Sequence, residues 1–160
     1  MTRHRVTASA RIAAAPTRVY QVLADYRQGH RHILPKRFSD LTVERGGFGA
    51  GTIIRFRLRL GGRRQTFRAA ITEPDPGRVL AETNLEGRVA VTTFTVTAEG
   101  AGEMSYVTIA TELPVRSGML GAIERFLTTQ ALQPLYREQL QRLAAFVGGS
   151  GDDSRASHQR

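Results

Sequence analysis

Residues 51–71 read GTIIRFRLRLGGRRQTFRAAI. From Ile54 to Leu60 the side chains alternate: Ile54, Phe56, Leu58 and Leu60 fall on one side, and Arg55, Arg57 and Arg59 on the other. A two-residue period of this kind gives a strand one apolar and one charged face. After Gly61-Gly62 the alternation resumes, with Phe67, Ala69 and Ile71 opposite Arg64, Thr66 and Arg68. Two glycines between such runs predict a tight hairpin turn. The stretch is a β-hairpin with one face to bury, so another part of the chain has to cover it.

The same pattern extends outward in both directions. Residues 4–13 alternate as a first strand, and Pro16 then opens a short helix carrying Val19, Val22, Leu23 and Tyr26 at helical spacing. A second helical piece over about 27–34 ends at Pro35. "SDLTVERGG" supplies the strand before the hairpin. After it, "RVLAETNLE", "RVAVTTFTVTAEG" and "EMSYVTIATELP" supply three more. Their expected inward rows include Val79, Ala81, Thr83 and Leu85, then Phe94 and Val96, then Val107, Ile109, Thr111 and Leu113. On this parity Asp40, Glu44, Glu82, Glu86 and Glu112 all point outward.

Beyond Pro114 the period changes to 3.6. Leu120, Ile123, Phe126, Leu127, Ala131, Leu135, Leu140, Leu143 and Phe146 predict one amphipathic helix over about 116–147, kinked near Pro134. It is the only element long enough to cover the sheet. Residues 148–160 carry no apolar period and are expected to form a flexible polar tail, leaving 1–147 as one domain.

Composition narrows the classes. A chain of 160 residues with 41% hydrophobic and 23% charged residues can bury one sizeable core. There is no cysteine, which excludes disulfides and thiol nucleophiles. No apolar run is long enough for a membrane span, and "MTRHRVTASARIAAAP" has no signal-type apolar core, so the expected location is the cytoplasm. The net charge is +9, and all but one of the 23 basic residues are arginine. The arginines are scattered singly, which argues against nucleic acid as the partner.

The order of one strand, two short helices, six antiparallel strands and one long helix, with "APTRVYQVLADY", "GGFGAGT" and "FLTTQALQPLYREQLQRLAAF", resembles the START-like (SRPBCC) superfamily, and within it the polyketide cyclase/dehydrase-like branch. The resemblance covers about residues 4–147. It implies an α+β helix-grip fold, in which a seven-stranded antiparallel sheet wraps a long C-terminal helix around an apolar cavity. It also implies a small hydrophobic ligand, such as a lipid, polyketide or aromatic molecule. The chain carries no Rieske-type His/Cys pattern, so the ring-hydroxylase branch is excluded.

Phe56, Leu58, Phe67, Phe94, Val96, Val107 and Ile109 from the sheet, with Ile123 and Phe126 from the helix, are the expected cavity residues; ordinary core packing is their alternative role. Tyr26, His30 and His32 are the candidate acid–base groups. His30 and His32 point apart at i, i+2 on a helix, and His4 and His158 have no evident partners, so neither a metal site nor a cofactor is expected. Hairpin turns alternate ends, so Arg63, Arg64, Arg88 and Arg116 are expected at one end, where they could receive an anionic head group or simply be solvated. The outward stripe Arg55, Arg57, Arg59, Arg64 and Arg68 reads as a solvated face that discourages sheet association. Three functions follow: binding of a small hydrophobic, possibly anionic, ligand; a cyclase/dehydratase-type enzyme; or an interaction module using the basic face. The expected state is a monomer or homodimer.

Overall fold

The computed structural model describes residues 1–156. Seven antiparallel strands form one sheet: β1 (Thr2–Ile12), β2 (Phe38–Arg45), β3 (Ile53–Leu60), β4 (Arg63–Asp75), β5 (Val79–Asn84), β6 (Val91–Glu99) and β7 (Met104–Val115). The spatial order is β1-β7-β6-β5-β4-β3-β2, so the meander β2–β7 runs in sequence and β1 closes the far edge beside β7. Between β1 and β2 lie α1 (Pro16–Ala24) and α2 (Gly29–Ile33), and α3 (Gly118–Ala156) follows β7. This is the expected helix-grip architecture.

The helix α3 runs without a break past the expected end near 147 and through Pro134. Residues 148–156 of the expected tail therefore continue the helix, and 157–160 lie outside the described residues.

Contacts between α3 and the rest of the protein are uneven. Its close backbone approaches are mainly to β1, α2 and β7, with a smaller one to α1. Polar bonds fix it there: Arg125 Nη2 donates to Thr2 Oγ1 at 2.9 Å, Gln133 Nε2 donates to the Thr7 carbonyl at 3.2 Å, and His4 Nε2 meets Thr129 Oγ1 at 2.9 Å. His4 thus has a partner, which its position near the terminus did not suggest. Leu135, Leu140, Leu143 and Val147 are buried with Val6, Ile12, Leu23 and Ile109 in one core. Each such side chain contributes about 1.5–3 kcal/mol of hydrophobic stabilisation.

A loop and a glycine place the short helices. The β2–β3 loop 46–52 bonds back to the end of α1, with Tyr26 N–H donating to Gly47 O and Gly49 N–H to Ala24 O, both at 2.9 Å. Glu73 holds the loop from the other side, accepting from Ala50 N–H at 2.9 Å and from Tyr20 Oη at 2.6 Å. Gly29 permits α2 to cross α1: a Cβ there would lie 2.8 Å from the Val22 carbonyl oxygen. Together these contacts bring Tyr26 and His30 beneath the sheet.

Candidate functional site

A cavity of about 900 Å³ lies between the sheet and α3. Such a volume is in the range of small-molecule sites. One wall is aromatic: the Phe38 and Phe56 rings are 5.5 Å apart, and Phe56 and Phe67 stack at 5.5 Å. Leu34, Leu58 and Leu132 extend this apolar wall. The cavity opens where its exposed lining residues gather, at Gly61, at Glu86, Gly87 and Arg88, and at Leu127 on α3. These belong to connections two apart in the meander, so hairpin alternation places them at one end.

The opposite wall is polar, and much of it was not anticipated. Glu82 faces inward, where it accepts a hydrogen bond from Tyr26 Oη at 2.7 Å and lies 3.6 Å from His30 Nε2. The β5 parity is therefore the reverse of that expected: Leu80, Glu82 and Asn84 form the inward row, with Leu80 fully buried opposite Phe94. Val79, Ala81 and Thr83 lie on the other face. The segment is apolar at three successive positions, Val79, Leu80 and Ala81, so alternation did not fix its register. Glu86, also expected outward, stands at the rim.

His30 is fully buried, stacked on Tyr26 at 4.3 Å and edge-on to Phe94 at 5.7 Å. Its Nδ1 is 2.8 Å from the Leu23 carbonyl, which can only accept, so Nδ1 carries the hydrogen. In the neutral ring Nε2 then presents a lone pair toward the Glu82 carboxyl group. Burial lowers the imidazole pKa below 6.5, while Glu82 and the Leu23 carbonyl oppose the shift. Burial also raises the Tyr26 hydroxyl well above its usual range, with Glu82 adding to the effect, so Tyr26 stays a donor.

The His30 shift sets a pH dependence. As pH falls below about 6.5, the unfolded chain takes up a proton that native His30 resists, so stability falls until the native pKa is passed. Urea unfolding between pH 7.5 and 5 should show this loss, and His30→Gln should remove that part of the slope. Parallel slopes for the two proteins would contradict the assignment.

A second polar chain crosses from sheet to helix. Thr92 Oγ1 meets Thr111 Oγ1 at 2.7 Å, and Thr111 bonds the Tyr136 hydroxyl of α3. Burial raises the Tyr136 pKa. Thr92 shares the parity of Phe94 and could have been read as inward from the sequence. Gln139, one helical turn further on, is 3% exposed and lines the cavity. Asn84 Nδ2 donates to the Glu86 and Arg88 carbonyls, but its buried Oδ1 has no partner among the described residues.

The remaining sequence candidates disperse. Phe56, Leu58, Phe67 and Phe94 line the cavity, while Val96, Val107 and Ile109 are buried in the core away from it. Ile123 and Phe126 are 51% and 63% exposed and line nothing. The helix face over the cavity is instead Thr128, Ala131, Leu132, Leu135, Tyr136 and Gln139. His32 stays at the surface, stacked on Phe146 at 4.6 Å. The four mouth arginines do not form a free ring. Glu124 sits 4.0 Å from Arg88 and 3.4 Å from Arg116 and accepts the Arg116 backbone N–H at 2.9 Å. Arg64 faces the outer side of the sheet opposite Arg59, and Arg63 is exposed at the turn. Among the described residues no group of three or more His, Asp or Glu could hold a metal ion, and no helix is long and apolar enough to cross a membrane. His158 lies outside the described residues.

A curved antiparallel sheet around one long helix, with an internal cavity open at one end, defines the helix-grip class. Residues 3–148 match the family model described as polyketide cyclase/dehydrase and lipid transport, and the chain belongs to that family. No curated protein matches it. Among solved structures, the KanY protein is 25% identical over 92% of this chain and 99% of its own, with a TM-score of 0.79. The Zhui aromatase/cyclase from Streptomyces sp. R1128 is 18% identical, over 98% of this chain and 99% of its own, with a TM-score of 0.76. Norcoclaurine synthase from Thalictrum flavum, solved with dopamine and hydroxybenzaldehyde, is 18% identical over 91% and 87%, with a TM-score of 0.68. The last two likenesses speak to the fold.

Proposed function

We propose that this protein binds a small, flat, oxygenated apolar molecule of the aromatic or polyketide type in the cavity beneath α3. The observation that carries the reading is the polar wall: the buried Asn84 Oδ1 has no hydrogen-bond partner among the described residues, and the Gln139 amide lines the same cavity. An unsatisfied buried polar group costs about 1–3 kcal/mol, and a ligand hydroxyl donating to Asn84 Oδ1 removes that cost. The aromatic wall supplies a stacking surface for the ring system, and Gln139, Asn84 and Tyr136 supply hydrogen bonds at the polar wall. Glu124 between Arg88 and Arg116, with Glu86 beside them, gives an anionic head group little advantage at the opening.

Calorimetric titration with 1,8-dihydroxyanthraquinone and with plain anthracene tests this. Gln139→Leu should weaken the hydroxylated ligand about tenfold, the worth of one or two hydrogen bonds, and leave anthracene unchanged. Equal losses for both, or no saturable binding by the parent, would refute the reading.

A second reading rests on the Glu82–His30 pair. A carboxylate beside a neutral imidazole in a largely apolar cavity can take a proton from a methylene between two carbonyls. The resulting enolate carbon attacks a ketone of the same chain, forming a C–C bond, while the Tyr136 hydroxyl protonates the new alkoxide. The Tyr136 phenolate then takes the remaining proton from the same carbon and the Glu82 carboxyl gives its proton to the departing hydroxyl, so water leaves, both residues are restored and a cyclase/dehydratase-type reaction is complete. Incubation with a 1,3,5,7-tetraketone, in which the C2 methylene reaches the C7 ketone to close a six-membered ring, separates the readings: cyclised product marks an enzyme, and saturable binding without turnover marks a binding protein.

A further inference from the structure

On the outer face of the sheet, away from the cavity, the arginines of β3 and β4 are paired with acids at two of three successive levels. Arg55 and Arg68 are register partners, and like charges directly opposite each other are destabilising. Glu44 of β2 relieves that pair, accepting from both Nε atoms at 2.8 Å. Arg57 stands opposite Thr66 and lies 3.6 Å from Asp40, which a bulge in β2 sets in the left-handed region at φ 53°.

At the third level the compensation stops. Arg59 faces Arg64 across the hairpin, and the neighbouring chain brings Arg37, whose carbonyl accepts the Arg59 N–H at 3.0 Å, and Lys36. These four cations and Ser39 line a pocket of about 190 Å³. None of the four has an acidic partner among the described residues. Two of the three levels contain the carboxylate that the charge pattern requires, and the third contains a space of ligand size in its place.

We propose that this pocket binds a phosphate group. Two guanidinium forks facing one another suit a tetrahedral, multiply charged oxyanion, with Lys36 and the Ser39 hydroxyl completing the donors. The site stands independently of whatever occupies the cavity.

The test compares the parent with Arg59→Gln/Arg64→Gln and with a control of equal charge loss, Arg18→Gln/Arg137→Gln. The control positions are exposed on helices and carry no ion pair among the described residues. Pyrophosphate should raise the melting temperature of the parent and the control and leave the Arg59/Arg64 variant unmoved. At low salt without anion, that variant should melt no lower than the parent, because it removes a repulsion. Flotation with vesicles containing phosphatidic acid, against pure phosphatidylcholine, distinguishes the source. Binding to the acidic vesicles that is lost in the variant assigns the phosphate to a lipid head group. A pyrophosphate effect without flotation assigns it to a soluble phosphate compound. Equal pyrophosphate shifts in all three proteins, or none in the parent, would overturn the proposal.

Discussion

Replacing Glu82 by Leu should lower the unfolding free energy by about 2–3 kcal/mol, although the change puts an apolar side chain into a largely apolar wall. The loss comes from the groups left behind. Tyr26 is fully buried and its hydroxyl donates to Glu82, so removing the carboxylate strands a donor with no access to water. Glu82→Gln keeps an acceptor at the same reach and should cost less than about 1 kcal/mol. Urea unfolding of the two variants at pH 7.5, where His30 is neutral, reads the difference. If Leu is tolerated as well as Gln, Glu82 has no part in holding Tyr26 and His30 in place.

The largest effect on ligand binding is expected from Ala131→Trp. Ala131 lines the cavity on α3 between Thr128 and Leu135, so an indole at this position projects into the space a ligand needs. Affinity for 1,8-dihydroxyanthraquinone should fall about 100-fold, equivalent to about 2.7 kcal/mol. Stability should hold, since over-packing costs of about 1–3 kcal/mol arise when a large group enters a filled core. The pairing of lost affinity with retained stability is the signature of an open cavity. Lost stability with retained affinity would show that the ligand binds elsewhere and that this space is closed in solution.

The architecture was legible because six of the seven strands alternate clearly and the helix period changes once, after Pro114. The site was less legible, for a physical reason that β5 illustrates. Alternation reports which face is buried only where polar residues mark the other face. In Val79-Leu80-Ala81-Glu82 apolar residues occupy both parities, and the inward row then carries Glu82 and Asn84, so the functional face looks like the solvent face. The helix misled in the opposite sense. Ile123 and Phe126 continue the apolar period of α3, yet no described element covers these turns. Periodicity gives the direction a side chain takes around its helix and is silent on whether a neighbour lies there. His30 was found because histidines are few, but its partner was hidden by the β5 register.

The one-sided attachment of α3 bears on how a guest gets in. The helix is fastened chiefly to β1, β7, α2 and α1, and the hairpin of β3 and β4 faces it across the cavity. That hairpin pairs with β2 and β5 toward its base, and its tip at Gly61-Gly62 stands next to the opening. Spreading it by an ångström or two requires a change of sheet curl, which strands make readily, and breaks none of the bonds that hold the helix. On the proposed reading, the same scaffold would admit guests of different thickness while its buried polar wall keeps a fixed template for their oxygen atoms.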